Sequence, residues 1–296
     1  MSAAKSVAQA IERYLRSGKY EPDHSPWPGD FFERARRGHR ELLEALVIEV
    51  RRRSAGRRHP PVPRNVDLTV WTRRKLSPMV EGLFPQAERE AVMALLERSV
   101  AFVTAASVEP LLLSQRCLHT AWDLANLYLT SVGADLLGEE ASALLGLSEE
   151  TTCYVSTLYF AERGRIEDFV IHEAAHVFHN CKRGTAGLVE TRTREWLLLL
   201  EFGKRETFAY SCEAYGWIAE HASGRAERMA LAGDFAKGAG RVNDETVDPG
   251  ELADIVREAC AARNGWKVIL RRCAPARRPR ARLLARISPL TSLAGA

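Results

Sequence analysis

The chain has 296 residues, of which 46% are hydrophobic and 27% are charged, as is usual for a globular protein of one or two domains. No apolar run approaches the length of a transmembrane helix, which excludes a membrane-spanning protein, and the amphipathic N-terminus excludes a secretory signal peptide. The formal charge of +4 is unevenly distributed, because residues 265–296 hold eight basic residues and no acid, whereas the rest holds 34 basic and 38 acidic residues.

The first half of the chain shows the helical spacing of apolar residues almost throughout. Two loops rich in proline, at about 18–30 and 54–65, interrupt it. The predicted helices cover about residues 2–17, 31–53, 67–82, 86–105, 109–132 and 138–146.

The composition changes at residues 151–160, TTCYVSTLYF, which are rich in β-branched and aromatic residues and predict a strand. Further helices are predicted from Ile166 to Cys181, over TREWLLLLEF (193–202), over 204–223, and near 224–236 and 249–263. The fold class is therefore mainly α (α+β). We divide the chain into a helical region (1–106), a unit with the strand and the helix of IHEAAHVFHN (107–264), and a basic tail (265–296).

The segment IHEAAHVFHN (171–180) combines residues that suit metal chemistry. His172 and His176 are four residues apart, so a helix places both imidazoles on one face, where they can reach one ion. Neutral imidazole is a good ligand of Zn²⁺. Glu173 lies beside that position and can activate a metal-bound water as a general base. The alternative is a core helix whose histidines hydrogen-bond to their neighbours.

This H-E-x-x-H segment, with its uncharged neighbours and the strand before it, resembles the zincin metallopeptidases over about residues 150–220. The resemblance implies that residues 107–264 form a zincin-like metallopeptidase unit with a small β-sheet. It also implies zinc as the cofactor, a peptide or protein as the substrate, and a strand, here near 153–160, that holds the substrate backbone.

A catalytic zinc ion usually has three protein ligands. His179 is near the same helical face, but three ligands on one straight helix fit a tetrahedral ion poorly, so we expect it to cap, pack or line the cleft. The metzincin pattern is absent, because it requires glycine at 179 and histidine at 182. The remaining resemblance is to gluzincins, whose glutamate-x-x-alanine segment is similar to ETFA (206–209). It favours Glu206 as the third ligand and leaves Glu213, seven residues later, as the alternative.

An oxyanion in a peptidase needs a hydrogen-bond donor. Tyr210, Tyr215 and His221 follow the predicted ligand, and we select Tyr215 as the candidate, with plain packing as the alternative for all three. The catalytic candidates are thus Glu173 and Tyr215.

The remaining features concern partners and location. The basic tail can bind nucleic acid or another anionic partner, or it is simply a solvated chain end. Six cysteines without a C-x-x-C pair suggest free thiols in a reducing cytoplasm. A second hypothesis is a non-catalytic helical interaction protein, whose metal site is structural or vestigial and whose tail binds nucleic acid or a partner. Glu173 argues against it, since a structural site does not need that residue.

Overall fold

A computed structural model of the chain describes residues 6–60, 62, 67–161, 166, 168–238, 242 and 244–276. Within them the chain forms eleven α-helices and a three-stranded sheet, which confirms the mainly α (α+β) prediction. The helices are α1 (Val7–Ser17), α2 (Phe31–Ser54), α3 (Leu68–Leu83), α4 (Gln86–Ser99), α5 (Val108–Ser114), α6 (Leu118–Ser131), α7 (Phe169–Asn180), α8 (Arg205–His221), α9 (Arg225–Gly238), α10 (Pro249–Ala261) and α11 (Gly265–Cys273). The strands are β1 (Val100–Val103), β2 (Gly146–Glu149) and β3 (Thr152–Ser156).

Side-chain caps fix the start of several helices. Asp30 accepts a hydrogen bond from the backbone N–H of Glu33 at 2.9 Å, and the Glu33 carboxylate accepts one in return from the backbone N–H of Asp30 at 3.2 Å. Such caps contribute about 1 kcal/mol each, because they satisfy N–H groups that lack a partner within the helix. Local sequence therefore determines where α2 begins.

The sheet has the strand order β1–β3–β2. Strand β3 pairs with β1 in parallel and with β2 in the antiparallel direction, so both of its edges are occupied. The predicted strand over 151–160 corresponds to β3, but it ends at Ser156 and continues as a 3₁₀ turn over Thr157–Phe160. β2 forms one edge of the sheet.

The predicted helix over 138–146 is not formed, and its last residue instead begins β2. A two-residue turn joins β2 to β3, and its first residue, Glu150, has a φ of 49°. Glycine normally takes that position in such a turn, because it has no Cβ to clash with the backbone. Because this glycine is missing, a hairpin cannot be recognised here from the sequence.

Two other predicted helices are shorter than expected. The helix over 86–105 ends at Ser99, where the β-branched and aromatic run VAFV becomes β1 and pairs with β3. The helix over 109–132 is divided into α5 and α6 by residues 115–117. In that break, the buried Gln115 side-chain amide donates to the Tyr154 hydroxyl at 3.0 Å and so ties the chain to the sheet.

The predicted helix over 193–202 is also absent. The chain there is irregular and runs along the C-terminal end of α7, where the backbone N–H groups of Leu197 and Leu198 donate to the carbonyls of Cys181 and Phe178. The last carbonyls of a helix have no partner within it, so a neighbouring segment can satisfy them. This long-range requirement overrides the local helical preference of the leucine run.

The buried side chains form two core groups that share the sheet. Helices α1, α2, α5 and α6 surround one group, and α3, α4, α7, α8, α9, α10 and α11 surround the other. Successive residues of β3 alternate between them, since Cys153 and Val155 belong to the second group and Tyr154 to the first. Residues of α3, α4 and α7 belong to the second core group, and residues of α1, α2, α5 and α6 belong to the first, while the boundary at residue 106 stays a prediction.

The beginning of the predicted basic tail is structured. Helix α11 buries Trp266, Ile269 and Cys273 in the second core group, so residues 265–276 belong to the folded unit. Residues 277–296, with the five remaining arginines, lie outside the described residues. Within the described segments, no helix combines the length and the apolar character needed to cross a membrane. All six cysteines lie in those segments, and each is a free thiol.

Candidate metal centre

Helix α7 carries the motif and is anchored at its N-terminus. Asp168 caps the helix by accepting from the backbone N–H of Ile171 at 3.2 Å. The Asp168 carboxylate is buried and forms an ion pair with Lys75 of α3. A buried carboxylate needs such a partner, because an unpaired charge there is costly. The motif helix is thereby fixed at the end that bears His172.

Helices α7 and α8 approach each other closely. A Cβ built on Gly216 of α8 would lie 2.4 Å from the Ile171 side chain, so any larger residue at this crossing would force that side chain to move. Ala174 and Ala175 of α7 and Ala209 of α8 are fully buried. Small residues let two helices approach, and this places the inner face of α8 beside the two motif histidines.

Three side chains from the two helices converge on one point. The Nε2 atoms of His172 and His176 are 3.2 Å apart, and the Glu206 Oε2 atom lies 3.8 Å from the first and 3.4 Å from the second. Three atoms bonded at about 2.1 Å to one tetrahedral zinc ion would be separated by about 3.4 Å. The three residues can therefore hold a single metal ion with little rearrangement.

The donor set is chemically suited to a cation. An imidazole Nε2 that carries no proton offers a lone pair, as does a carboxylate oxygen, so the three side chains can direct three lone pairs at one cation. The Glu206 side chain is 37% exposed, whereas the two imidazoles are nearly buried, so solvent reaches the cluster from the side of α8.

Glu213 lies behind His172 rather than in the cluster. Its Oε2 atom is 3.0 Å from the His172 Nδ1, and its Oε1 atom accepts from the backbone N–H of Asp168 at 2.8 Å. The carboxylate therefore touches the ring nitrogen on the far side of the imidazole from the cluster. Of the two glutamates considered as third ligand, the structure brings Glu206 to the two Nε2 atoms and uses Glu213 to hold His172 in place.

The charges in the cluster influence one another. Burial opposes protonation of His172, but the hydrogen bond and the charge of Glu213 raise its pKa to about 9. Burial alone would raise the pKa of Glu206. The neighbouring imidazoles have the larger effect, so the pKa is lowered overall. The two shifts are complementary, because the carboxylates favour a positive charge on His172 and the imidazoles favour the negative charge of Glu206.

Glu173 is held in a narrow space against the edge strand β2. A Cβ built on Gly146 would lie 2.5 Å from the Glu173 Oε1 and 2.8 Å from its Cγ. The Ser148 side chain, two residues along the same face of β2, hydrogen-bonds to the Glu173 carboxylate. Burial raises the pKa of Glu173, and the two imidazoles act in the opposite direction. The sequence predicts a helix over 138–146 and no element at 147–150, so neither Gly146 nor Ser148 was a candidate.

His179 is not at the cluster but contacts one of its members. Its Nε2 is 3.0 Å from the Nδ1 of His176, and its Nδ1 is 3.0 Å from the Oδ1 of Asn180. Burial, assisted by the charges of His176 and Arg205, lowers the pKa of His179 to about 4, so this imidazole is neutral at pH 7.

The structure does not bring Tyr215 to the cluster. Its hydroxyl accepts a hydrogen bond from the backbone N–H of Gly265 at 3.3 Å, and its ring packs edge-on against Trp266 of α11. Helical spacing explains this, since residue 215 is nine positions from Glu206 and points away from the face that bears the ligand. His221 is stacked on Trp217. Tyr210, four residues after Glu206, is the tyrosine at the cluster, with its ring centroid 4.5 Å from that of His172.

A search of protein-family models, of curated proteins and of solved structures found no match to this chain. The functional interpretation therefore depends on the geometry of the cluster formed by His172, His176 and Glu206, with Glu173 beside it.

Proposed function

We propose that this protein is a zinc-dependent metallopeptidase. The observation that carries the proposal is the convergence of His172, His176 and Glu206 on one point, from two helices, with separations that suit a tetrahedral ion. The resemblance of the motif to gluzincins agrees with this arrangement.

Each residue has a distinct role in this proposal. His172, His176 and Glu206 would hold zinc, which when bound supplies a Lewis acid for a scissile carbonyl and lowers the pKa of a water molecule. Glu173 accepts the proton from the attacking water and passes it to the leaving amine. Its buried position against β2 restricts the carboxylate to a small range of orientations, which favours proton transfer along a fixed path.

We further infer that the substrate backbone pairs with β2. The strand near 153–160 was expected to hold it, but β3 is central in the sheet, with both edges already paired. Among the described residues, β2 has no strand on its other edge, and its residues Gly146 and Ser148 contact Glu173. A peptide added to that edge would pass beside the general base.

The non-catalytic alternative, with a structural or vestigial metal site, predicts no turnover whether or not a metal is bound. Against it stands the environment of Glu173, whose carboxylate is confined by Gly146 and hydrogen-bonded by Ser148, features that a structural metal site does not require. A nucleic-acid or other anionic partner for the arginines beyond residue 276 stays a separate hypothesis, as does a location in the reducing cytoplasm, which is based on the free thiols.

The purified wild-type chain is expected to contain one zinc ion per molecule and to cleave members of a peptide library. Removal of the metal with a chelator should abolish cleavage, and one equivalent of Zn²⁺ should restore it, because the metal supplies the Lewis acid. The measurements are metal analysis by mass spectrometry and product detection by liquid chromatography. A chain that binds no metal at micromolar zinc would contradict the metal site, and a zinc-loaded chain without turnover would favour the alternative.

Replacement of Gly146 by alanine should lower kcat at least tenfold and leave the zinc content unchanged. The added methyl would lie within 3 Å of the Glu173 carboxylate and force it to move, and a misplacement of about 1 Å can cost 100-fold in rate. Gly203→Ala is the matched control, since a Cβ there meets no atom within 4 Å. Equal rates for both variants would show that the contact with β2 does not position the base.

A further inference from the structure

His179 belongs to a chain of hydrogen bonds that ends at one of the proposed metal ligands. The chain runs from the Oδ1 of Asn180 to the Nδ1 of His179, and from the Nε2 of His179 to the Nδ1 of His176, with both separations at 3.0 Å. His176 and His179 are 7% and 5% exposed, so water does not compete strongly for these contacts.

The direction of these hydrogen bonds follows from the chemistry of Asn180. A carboxamide oxygen has no hydrogen to donate, so the Nδ1 of His179 must carry the proton and donate it. A neutral imidazole with a proton on Nδ1 has a lone pair on Nε2. That Nε2 can therefore only accept, and the Nδ1 of His176 must donate to it. The Nε2 of His176 is left with its lone pair, and this is the atom that faces His172 and Glu206.

We propose that His179 is a positioning residue, which holds the ring of His176 in the tautomer and the orientation that a metal ion requires. This inference rests on the proposed metal centre, and it concerns metal affinity rather than turnover. The partners of a metal-bound histidine commonly act in this way, and their loss typically weakens metal binding 10- to 100-fold.

The two proposed histidine ligands are consequently supported in different ways. His172 donates to the carboxylate of Glu213, an anion, whereas His176 donates to a neutral imidazole of its own helix. His179 thus has a function at the metal centre, although it binds no metal itself. A purely structural role would also explain the burial of His179. The test must therefore measure the metal affinity and the His176 tautomer separately from the stability of the protein.

The test compares His179→Phe with His179→Gln. Phenylalanine keeps a planar ring but removes the acceptor, whereas the glutamine Oε1 can reach the position of the lost Nε2. We expect the dissociation constant for Zn²⁺, measured by competition with a chromophoric chelator, to rise 10- to 100-fold in His179→Phe and less than threefold in His179→Gln. His221→Phe is the control, because that exposed imidazole bonds only to the backbone carbonyl of Trp217 within the described residues and should not alter the affinity.

A second measurement requires neither zinc nor activity. In ¹⁵N-histidine correlation spectra of the chelator-treated protein, wild-type His176 should be in the Nδ1–H tautomer, and His179→Phe should give a mixture of tautomers. Asn180→Ala should also give a mixture of His176 tautomers, with a smaller change than in His179→Phe. Asn180→Asp should leave the His176 tautomer unchanged, since a carboxylate also accepts a hydrogen bond from the His179 Nδ1. These two variants keep the test available if His179→Phe does not fold.

The outcomes distinguish a failure of this inference from a failure of the proposed function. Unchanged zinc affinity in folded His179→Phe, or an Nε2–H tautomer of His176 in the wild type, would overturn the role of His179. Failure of the wild-type chain to cleave any peptide would overturn the peptidase proposal and leave this inference standing, because its readouts are binding and tautomer. Weakened binding in His179→Phe with rescue in His179→Gln would support it.

Discussion

Glu173→Gln is expected to reduce peptide hydrolysis by about 1,000-fold or more while the protein still binds one zinc ion. Glutamine has nearly the shape of glutamate but cannot accept the proton of the attacking water, and general-base catalysis contributes about 100- to 10,000-fold in rate. A 1,000-fold loss corresponds to about 4 kcal/mol of transition-state stabilisation. The measurements are kcat/KM on a cleaved peptide and the zinc content of the same sample.

The matched control for this variant is Glu201→Gln. Glu201 is an exposed glutamate just before α8, outside the cluster, and its replacement should leave both quantities unchanged. Full hydrolysis by Glu173→Gln with zinc present would exclude Glu173 as the base, and the buried carboxylate would then need another explanation. Loss of zinc together with activity would instead indicate that Glu173 contributes to binding the metal.

Glu206→Ala is expected to weaken zinc binding more than 100-fold, and Glu213→Ala only about 10- to 100-fold. The two substitutions remove the same group from the same face of α8, but only Glu206 points at the Nε2 atoms of both histidines. Loss of Glu213 removes the partner of the His172 Nδ1, an indirect effect of the size usual for such partners. Chelator competition measures both affinities.

The comparison of these two variants also decides the third ligand. A larger loss in Glu213→Ala than in Glu206→Ala would reverse the assignment. Circular dichroism of each variant serves as the folding check, since Glu213 also accepts from the backbone of Asp168 and its removal affects the start of α7. Full zinc affinity in a folded Glu206→Ala variant would remove Glu206 from the centre.

The sequence identified the helices that carry the site because local rules govern them. The amphipathic spacing and the terminal signals of α7 and α8 are close in the chain, and the predicted ranges 166–181 and 204–223 include the observed helices. The spacing of His172, His176 and Glu173 on one helix was equally local. Glu206 was chosen from a resemblance, and the structure places its carboxylate at the two imidazoles.

The elements that were predicted wrongly depend on contacts outside their own residues. The leucine run at 197–200 is not helical because its backbone N–H groups donate to carbonyls at the end of α7, which lies more than ten residues earlier in the chain. The segment before β3 is a strand because it pairs with the edge of β3, and the turn between them lacks the glycine that signals a hairpin. The position of Tyr215 away from the cluster was not predictable for a related reason, since the rotation of α8 about its axis is set by its contacts with α7 and α11.

By itself, the sequence determined the chemistry available to this protein: a helical histidine pair with an adjacent glutamate, and a later helix with carboxylates on one face. Tertiary structure alone decided how that chemistry is arranged. It placed Glu206 in the cluster and Glu213 behind His172, it confined Glu173 against Gly146, and it gave His179 a contact with His176. The physical reason is that residue spacing fixes positions along one helix, whereas distances between elements depend on how their side chains pack.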